Sequence, residues 1–221
     1  MNEYVTIAGK KFRKGYTTGT CAAAASKAAA YMVVSGKIPE KISIDTPAGI
    51  ILELPIHDPV IEDGFAECSV VKDGGDDPDV TTGLKIFAKV ELTADGHIEV
   101  KAGEGIGTVT FPGLKVKVGR PAINPVPMKM IREAVTRVLP PGKGAIITLR
   151  VPGGEKIAER TYNPRLGIIG GISIIGTSGI VEPMSEEAWK EALALELNVL
   201  ANRGFKSCVF VFGNYGEDFA L

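Results

Sequence analysis

Residues 163–187, reading NPRLGIIGGISIIGTSGIVEPMSEE, restrict the fold more than any other stretch of this chain. An apolar run at 172–175, interrupted only by Ser173, stops at Gly176-Thr177-Ser178-Gly179, and a helical pattern begins where Ser185 supplies a cap. The order predicts a strand, a glycine turn and a helix. Gly204 then stops the helix and residues 207–212 give a second apolar run, so the three pieces predict one βαβ unit with parallel strands. Trp189, Leu193, Leu197 and Leu200 fall on one face of that helix and are expected in a core. In open α/β sheets ligands sit beyond the carboxyl ends of the strands. Those ends carry residues 176–179 and Gly213-Asn214-Tyr215-Gly216-Glu217-Asp218, where a cofactor is expected. The turn is neither G-x-G-x-x-G nor the phosphate loop G-x-x-x-x-G-K-S/T.

Length and composition set the domain count. At 221 residues and 45% hydrophobic, the chain supports one large or two small domains with a real core. Pro152-Gly153-Gly154 and the polar stretch to Pro164 mark the best boundary. The expected architecture is an α+β N-terminal domain at 1–152 followed by an α/β, Rossmann-like C-terminal domain at 153–221. Two strands and one helix bury little, so the second domain is expected to be incomplete in this chain. With 25 basic and 26 acidic side chains, neither nucleic acid nor an anionic membrane is an expected partner. No apolar run approaches the roughly 20 residues that span a bilayer, and the start lacks a signal peptide's apolar centre. A cytoplasmic protein is the simplest reading. Cys21, Cys68 and Cys208 are odd in number and far apart, which fits reduced thiols, and the two histidines are too few for most metal sites.

Taken in order, Thr17-Thr18-Gly19-Thr20 precedes an alanine-rich helix at 21–34 that stops at Ser35-Gly36. The threonines read either as caps or as an anion site built from hydroxyls and free N–H groups at the helix end. Strand patterns follow at 50–56, after the turn Thr46-Pro47-Ala48-Gly49, and at 86–92, which meets 98–100 across Asp95-Gly96 as a predicted hairpin. Residues 71–83, VKDGGDDPDVTTG, hold Asp73, Asp76, Asp77 and Asp79. These are turn formers with solvated carboxylates, or a site for a cation, a cationic ligand group or a proton. Their spacing does not match an EF-hand. Asn124 caps a helix entered through Pro125 and Pro127, with Met128, Ile131, Val135 and Val138 facing inward, and residues 145–151 form a further strand.

Five of these stretches together resemble one family, the CbiD-type cobalt-precorrin-5B methyltransferases of anaerobic cobalamin biosynthesis. They are residues 15–21 with the alanines after them, 72–83, 121–127, 163–184 and 213–220, in the family's order over nearly the whole chain. The resemblance implies transfer of a methyl group from S-adenosylmethionine to ring carbon 1 of a tetrapyrrole that carries its own cobalt. It implies carboxylate-binding roles for Thr17, Thr18, Thr20, Lys72, Arg120 and Asn124, and donor contacts from Gly176, Thr177, Ser178, Gly179, Asn214 and Asp218. Asp76 and Asp77 are the candidates for orienting the donor or taking a ring proton, and the active site is expected in the cleft between the domains. A larger residue at Gly176 or Gly179 is expected to abolish donor binding with the fold intact. The alternatives are a magnesium- and nucleotide-dependent phosphotransferase using Thr17 to Thr20 and the aspartates, and a non-catalytic tetrapyrrole carrier. The sequence allows a homo-oligomer.

Overall fold

The computed structural model describes residues 3–211 and Gly216. The chain opens with a hairpin of β1 (Tyr4–Ile7) and β2 (Lys10–Arg13), then the short β3 (Gly15–Tyr16) and the helix α1 (Thr18–Ser35). A second hairpin, β4 (Lys41–Asp45) and β5 (Ile51–Pro55), precedes β6 (His57–Glu62), β7 (Phe65–Val71), β8 (Lys85–Thr93), β9 (Ile98–Ala102) and the short β10 (Thr108–Val109). Then come α2 (Pro125–Thr136), β11 (Gly144–Arg150), α3 (Gly154–Ala158), β12 (Ile168–Ile169), β13 (Ile180–Val181) and α4 (Glu186–Asn202).

The helix α1 is the centre of the molecule. Cys21 and seven of its alanines are fully buried, because the helix lies between β7 and β8 on one side and α2 on the other. A helix apolar all round belongs in an interior, and alanine lets three layers approach closely without side-chain entropy to lose. Thr17 caps its start by accepting the N–H of Thr20 at 3.2 Å.

The central sheet has the order β6-β7-β8-β11-β9. This corrects the hairpin expected at Asp95-Gly96. The turn forms, with Asp95 accepting from Thr93 Oγ1 and from the N–H of His97, but β8 and β9 do not pair. Instead β11 lies between them, antiparallel to β8 and parallel to β9. Its side chains Ala145, Ile147, Leu149 and the following Val151 are fully buried, which rewards a central place in the sheet more than an edge. The connection β9–α2–β11 is therefore the βαβ crossover of the described residues.

The βαβ unit expected at the C-terminal end does not form within the described residues. Ile172 and Ile174 make only isolated parallel bridges, to Ile106 and Ile123, and pack into the same core as α1 and the central sheet. Residues 207–211 are exposed and lie in no strand. The helix between them does form, with Ser185 Oγ accepting the N–H of Ala188, yet Val199 is the one fully buried residue along it. Trp189, expected in a core, is 63% exposed. Leu195 and Val199 pack with Val109, Phe111, Leu166 and Ile168 in a small second cluster, while Trp189 and Leu197 stay exposed.

Candidate functional site: a groove beside a pinned glycine turn

The Thr17 to Thr20 segment and the 175–179 turn, far apart in sequence, meet at the start of α1. Gly19 N–H donates to the Ile175 carbonyl at 2.9 Å, and Thr18 Oγ1 accepts the Ile175 N–H at 2.9 Å. Thr20 Oγ1 donates to the Gly179 carbonyl at 2.7 Å, and Thr17 N–H reaches the same oxygen at 3.1 Å. These three threonines are buried. Their hydroxyls, and the N–H groups of Gly19 and Thr20, are spent inside the fold, so the helix end that the phosphotransferase reading required is closed by protein. The threonines position the turn.

Of the four turn residues, Ser178 Oγ is bound to the Ile180 backbone and Gly179 is buried against Thr46, whereas Thr177 is exposed. Thr177 stands on the shared edge of two concavities. The larger, of about 390 Å³, runs between α2 and the β4–β5 hairpin, with Ile44, Pro47, Val126, Met130 and Ala134 among its walls. Lys27, Asp45, Lys129, Glu133 and Arg137 stand around it. The smaller, of about 100 Å³, is lined by Lys115, Asn124, Gly176 and Thr177 together with the start of α2. Asn124, at the start of α2, makes no capping bond with its side chain and is one of the residues that line this space.

The aspartate loop lies elsewhere. Neither concavity draws a wall from it. Asp73 holds the Arg13 guanidinium through two bonds of 2.7 and 2.8 Å and accepts the N–H of Gly75. Asp76 accepts the Arg13 N–H at 2.6 Å, and Asp77 accepts the Met184 N–H at 3.1 Å. Lys72 is 2% exposed and donates to Asp79 at 2.7 Å, with Thr81 completing the carboxylate's partners. The loop is a strap that ties β2 and the approach to α4 onto the core. The side-chain bonds of Asp76, Asp77 and Lys72 run to Arg13, Met184 and Asp79 rather than to residues 176–179, and Arg120 stands exposed on a separate loop. Asn214 and Asp218 lie outside the described residues.

Arginine bonding draws the Asp73 carboxyl below its ordinary value. For Asp79, burial acts upward, but the Lys72 ammonium and the Thr81 donors outweigh it and hold the pKa low. A carboxylate depressed in the folded state stabilises it above the unfolded pKa of about 4 and loses that contribution as pH falls through the folded value. Melting temperature should therefore fall steeply below about pH 4, and Asp79→Asn should flatten that limb while lowering stability at pH 7. An unchanged limb in thermal scans from acid to neutral pH would remove the strap from the stability account.

Burial pushes the Cys21 and Cys68 thiols up to about 12. Iodoacetamide at neutral pH should label only the exposed Cys208 in the folded chain and all three thiols after denaturation, counted by intact mass. Labelling of Cys21 in the folded protein would contradict its place in the core.

Sequence reasoning missed the groove's charged rim. Lys129 and Glu133 on α2 and Arg137 at its C-cap recur every four residues, a spacing that reads as a solvated helix face until β4 is placed opposite. Nothing local in Lys27 or Asp45 signals that pairing.

The fold and this groove define an α/β protein that presents a mixed-polarity concavity, sized for a small organic ligand, beside a rigid glycine turn. The chain belongs to the CbiD family, whose profile matches residues 5–183. It is 58% identical over 221 residues to a cobalt-precorrin-5B C(1)-methyltransferase of Thermoanaerobacter sp., covering 100% of this chain and 60% of that protein. It is 53% identical over 220 residues to the protein of that name from Alkaliphilus metalliredigens, covering 100% of this chain and 58% of the relative. The crystal structure of a cobalamin biosynthesis protein (cbiD) from Archaeoglobus fulgidus matches with a TM-score of 0.60 and 32% identity, over 87% of this chain and 62% of that one. The chain thus spans about 60% of the length of these relatives. Among the described residues no helix is long and apolar enough to cross a membrane.

Proposed function

We propose that this chain carries part of a cobalt-precorrin-5B C(1)-methyltransferase, moving a methyl group from S-adenosylmethionine to ring carbon 1 of a cobalt-bearing tetrapyrrole in the cytoplasm. The observation that carries this reading is the 58% identity, along the whole chain, to a relative of that name. The chemistry is an in-line displacement. The new bond joins the methyl carbon to the ring, the carbon–sulfur pair returns to sulfur, and the sulfonium's positive charge passes to the ring. Such a step asks the protein for positioning and exclusion of water more than for a triad or a metal cage.

Exposed Arg120, and Asn124 on the wall of the smaller concavity, are the candidates for the substrate's carboxylates. Thr17, Thr18 and Thr20 serve the site through the turn they hold. A donor with apolar, cationic and anionic parts fits the larger groove, whose walls offer all three complements. Asn214 and Asp218 stay as donor candidates, in an α/β second domain to which α4 and the apolar segment at 207–211 would contribute. Asp76 and Asp77 keep a catalytic role only if that domain bends the strap toward the reacting ring.

The test is incubation of the chain with cobalt-precorrin-5B and methyl-labelled S-adenosylmethionine, followed by mass spectrometry of the tetrapyrrole. One added methyl group supports the reading. If the chain instead binds the tetrapyrrole tightly and has no affinity for the adenosyl compound, the carrier reading replaces it.

A further inference from the structure

We propose that the groove between α2 and the β4–β5 hairpin is the methyl-donor site, and that its occupant is a zwitterionic amino acid bearing a nucleoside. The proposal rests on the methyltransferase reading and adds a place to it. Size is the first argument. At about 390 Å³ the groove falls near the lower end of the ~300–1,000 Å³ range of small-molecule pockets. A tetrapyrrole macrocycle with its carboxylate arms is too large for it, so of the two reactants it suits the smaller.

Polarity is the second argument. Ile44, Pro47, Val126 and Met130 give an apolar surface for a planar base, with a polarizable thioether among them. The rim carries both signs of charge. Lys27 Nζ donates to the Ser43 carbonyl at 2.7 Å and, as an ammonium, keeps further donors for a carboxylate. Asp45 pairs with Arg137, and Glu133 with Lys129 at 3.7 Å. Both pairs are exposed, and exposed pairs are weakly held, so either carboxylate can exchange its partner for a ligand's ammonium or sulfonium. A site for the substrate's carboxylate arms would present cations alone.

Thr177 supplies the third argument. It stands where the larger and smaller concavities meet, on a turn fixed to the start of α1, with Asn124 and Lys115 on the far side. A donor lying in the groove would approach that junction, and the smaller concavity would lie ahead of it.

The test is isothermal titration with S-adenosylhomocysteine, and separately with a polycarboxylate porphyrin, of the wild-type chain, Thr177→Trp and Glu133→Lys. Both substituted positions are exposed, and melting curves check that the fold persists. Thr177→Trp should weaken the adenosyl ligand at least about tenfold, and Glu133→Lys should weaken it while leaving the porphyrin no weaker. Wild-type binding of the adenosyl ligand that both variants retain would overturn the groove assignment and leave the methyltransferase reading standing. Loss of the porphyrin alone would assign the groove to the substrate and overturn the proposal. A wild-type chain that binds no adenosyl ligand would overturn both. Ultraviolet cross-linking of methyl-labelled donor to the wild type gives a variant-free check. Label in peptides from residues 41–47 or 126–137 supports the site, and label confined to other peptides overturns it.

Discussion

Gly75→Ala should cost the fold at least about 3 kcal/mol, lowering the melting temperature by roughly 6–12 °C for a chain of this size. Two effects add at this position. Gly75 has φ +66°, a left-handed conformation that strains any side chain, and a Cβ there would overlap the Arg13 carbonyl and the backbone of Lys14 and Gly15. The contact is mutual, because a Cβ on Gly15 would run into the backbone of residues 73–75. Two glycine backbones thus press against each other where the aspartate strap crosses the strand leading to α1. Gly83 separates the two effects. It shares the left-handed conformation at φ +86° but faces open space, so Gly83→Ala should carry the backbone term alone, about 1 kcal/mol. Equal losses at the two positions, measured by chemical denaturation, would mean that the close crossing contributes nothing.

Gly176→Val should abolish binding of adenosyl ligands and destabilise the protein by about 3 kcal/mol or more in the same variant. The sequence led us to expect the first without the second. Gly176 sits at φ +132°, and a Cβ there would overlap Thr17, the residue whose hydroxyl caps α1. Valine would force the turn off the helix or the cap out of place. A second substitution tests this cause. Glycine at a helix cap costs only a few tenths of a kcal/mol, and Thr17→Gly would clear the space. Part of the stability of Gly176→Val should therefore return in the Thr17→Gly background. No recovery in the double variant would place the damage somewhere other than the Thr17 contact.

What the sequence made legible was largely local. Threonines before alanines, the Thr46 to Gly49 turn, Asn124 ahead of two prolines and Ser185 ahead of two glutamates each announce an element through neighbouring residues, and each element forms. Pairing between distant segments was not legible. The Asp95-Gly96 turn gives a correct local signal, and only the arrival of residues 144–150 decides that its two strands stay apart. Likewise the run at 172–175 looks like a strand in isolation, yet it is used as filling between Ile106, Ile123 and the start of α1. The glycine turn was located correctly as a feature, while the groove beside it depends on which helix face meets which hairpin. No periodicity within α2 encodes that.

The insertion of β11 between β8 and β9 also sets an order of events during folding. A strand pair joined by a tight turn can ordinarily close within microseconds, using contacts a few residues apart. Here that rapid closure would be a mistake, because the gap must admit a strand that emerges some forty residues later, after α2. The β9 strand has no partner in the sheet until β11 docks, and β11 is held on both sides only once β8 is in place. High sequence separation of this kind slows folding and lengthens the time for which an unpaired edge stays open to other chains. During synthesis the nascent protein would thus be most exposed to wrong pairing between the emergence of residue 102 and that of residue 150.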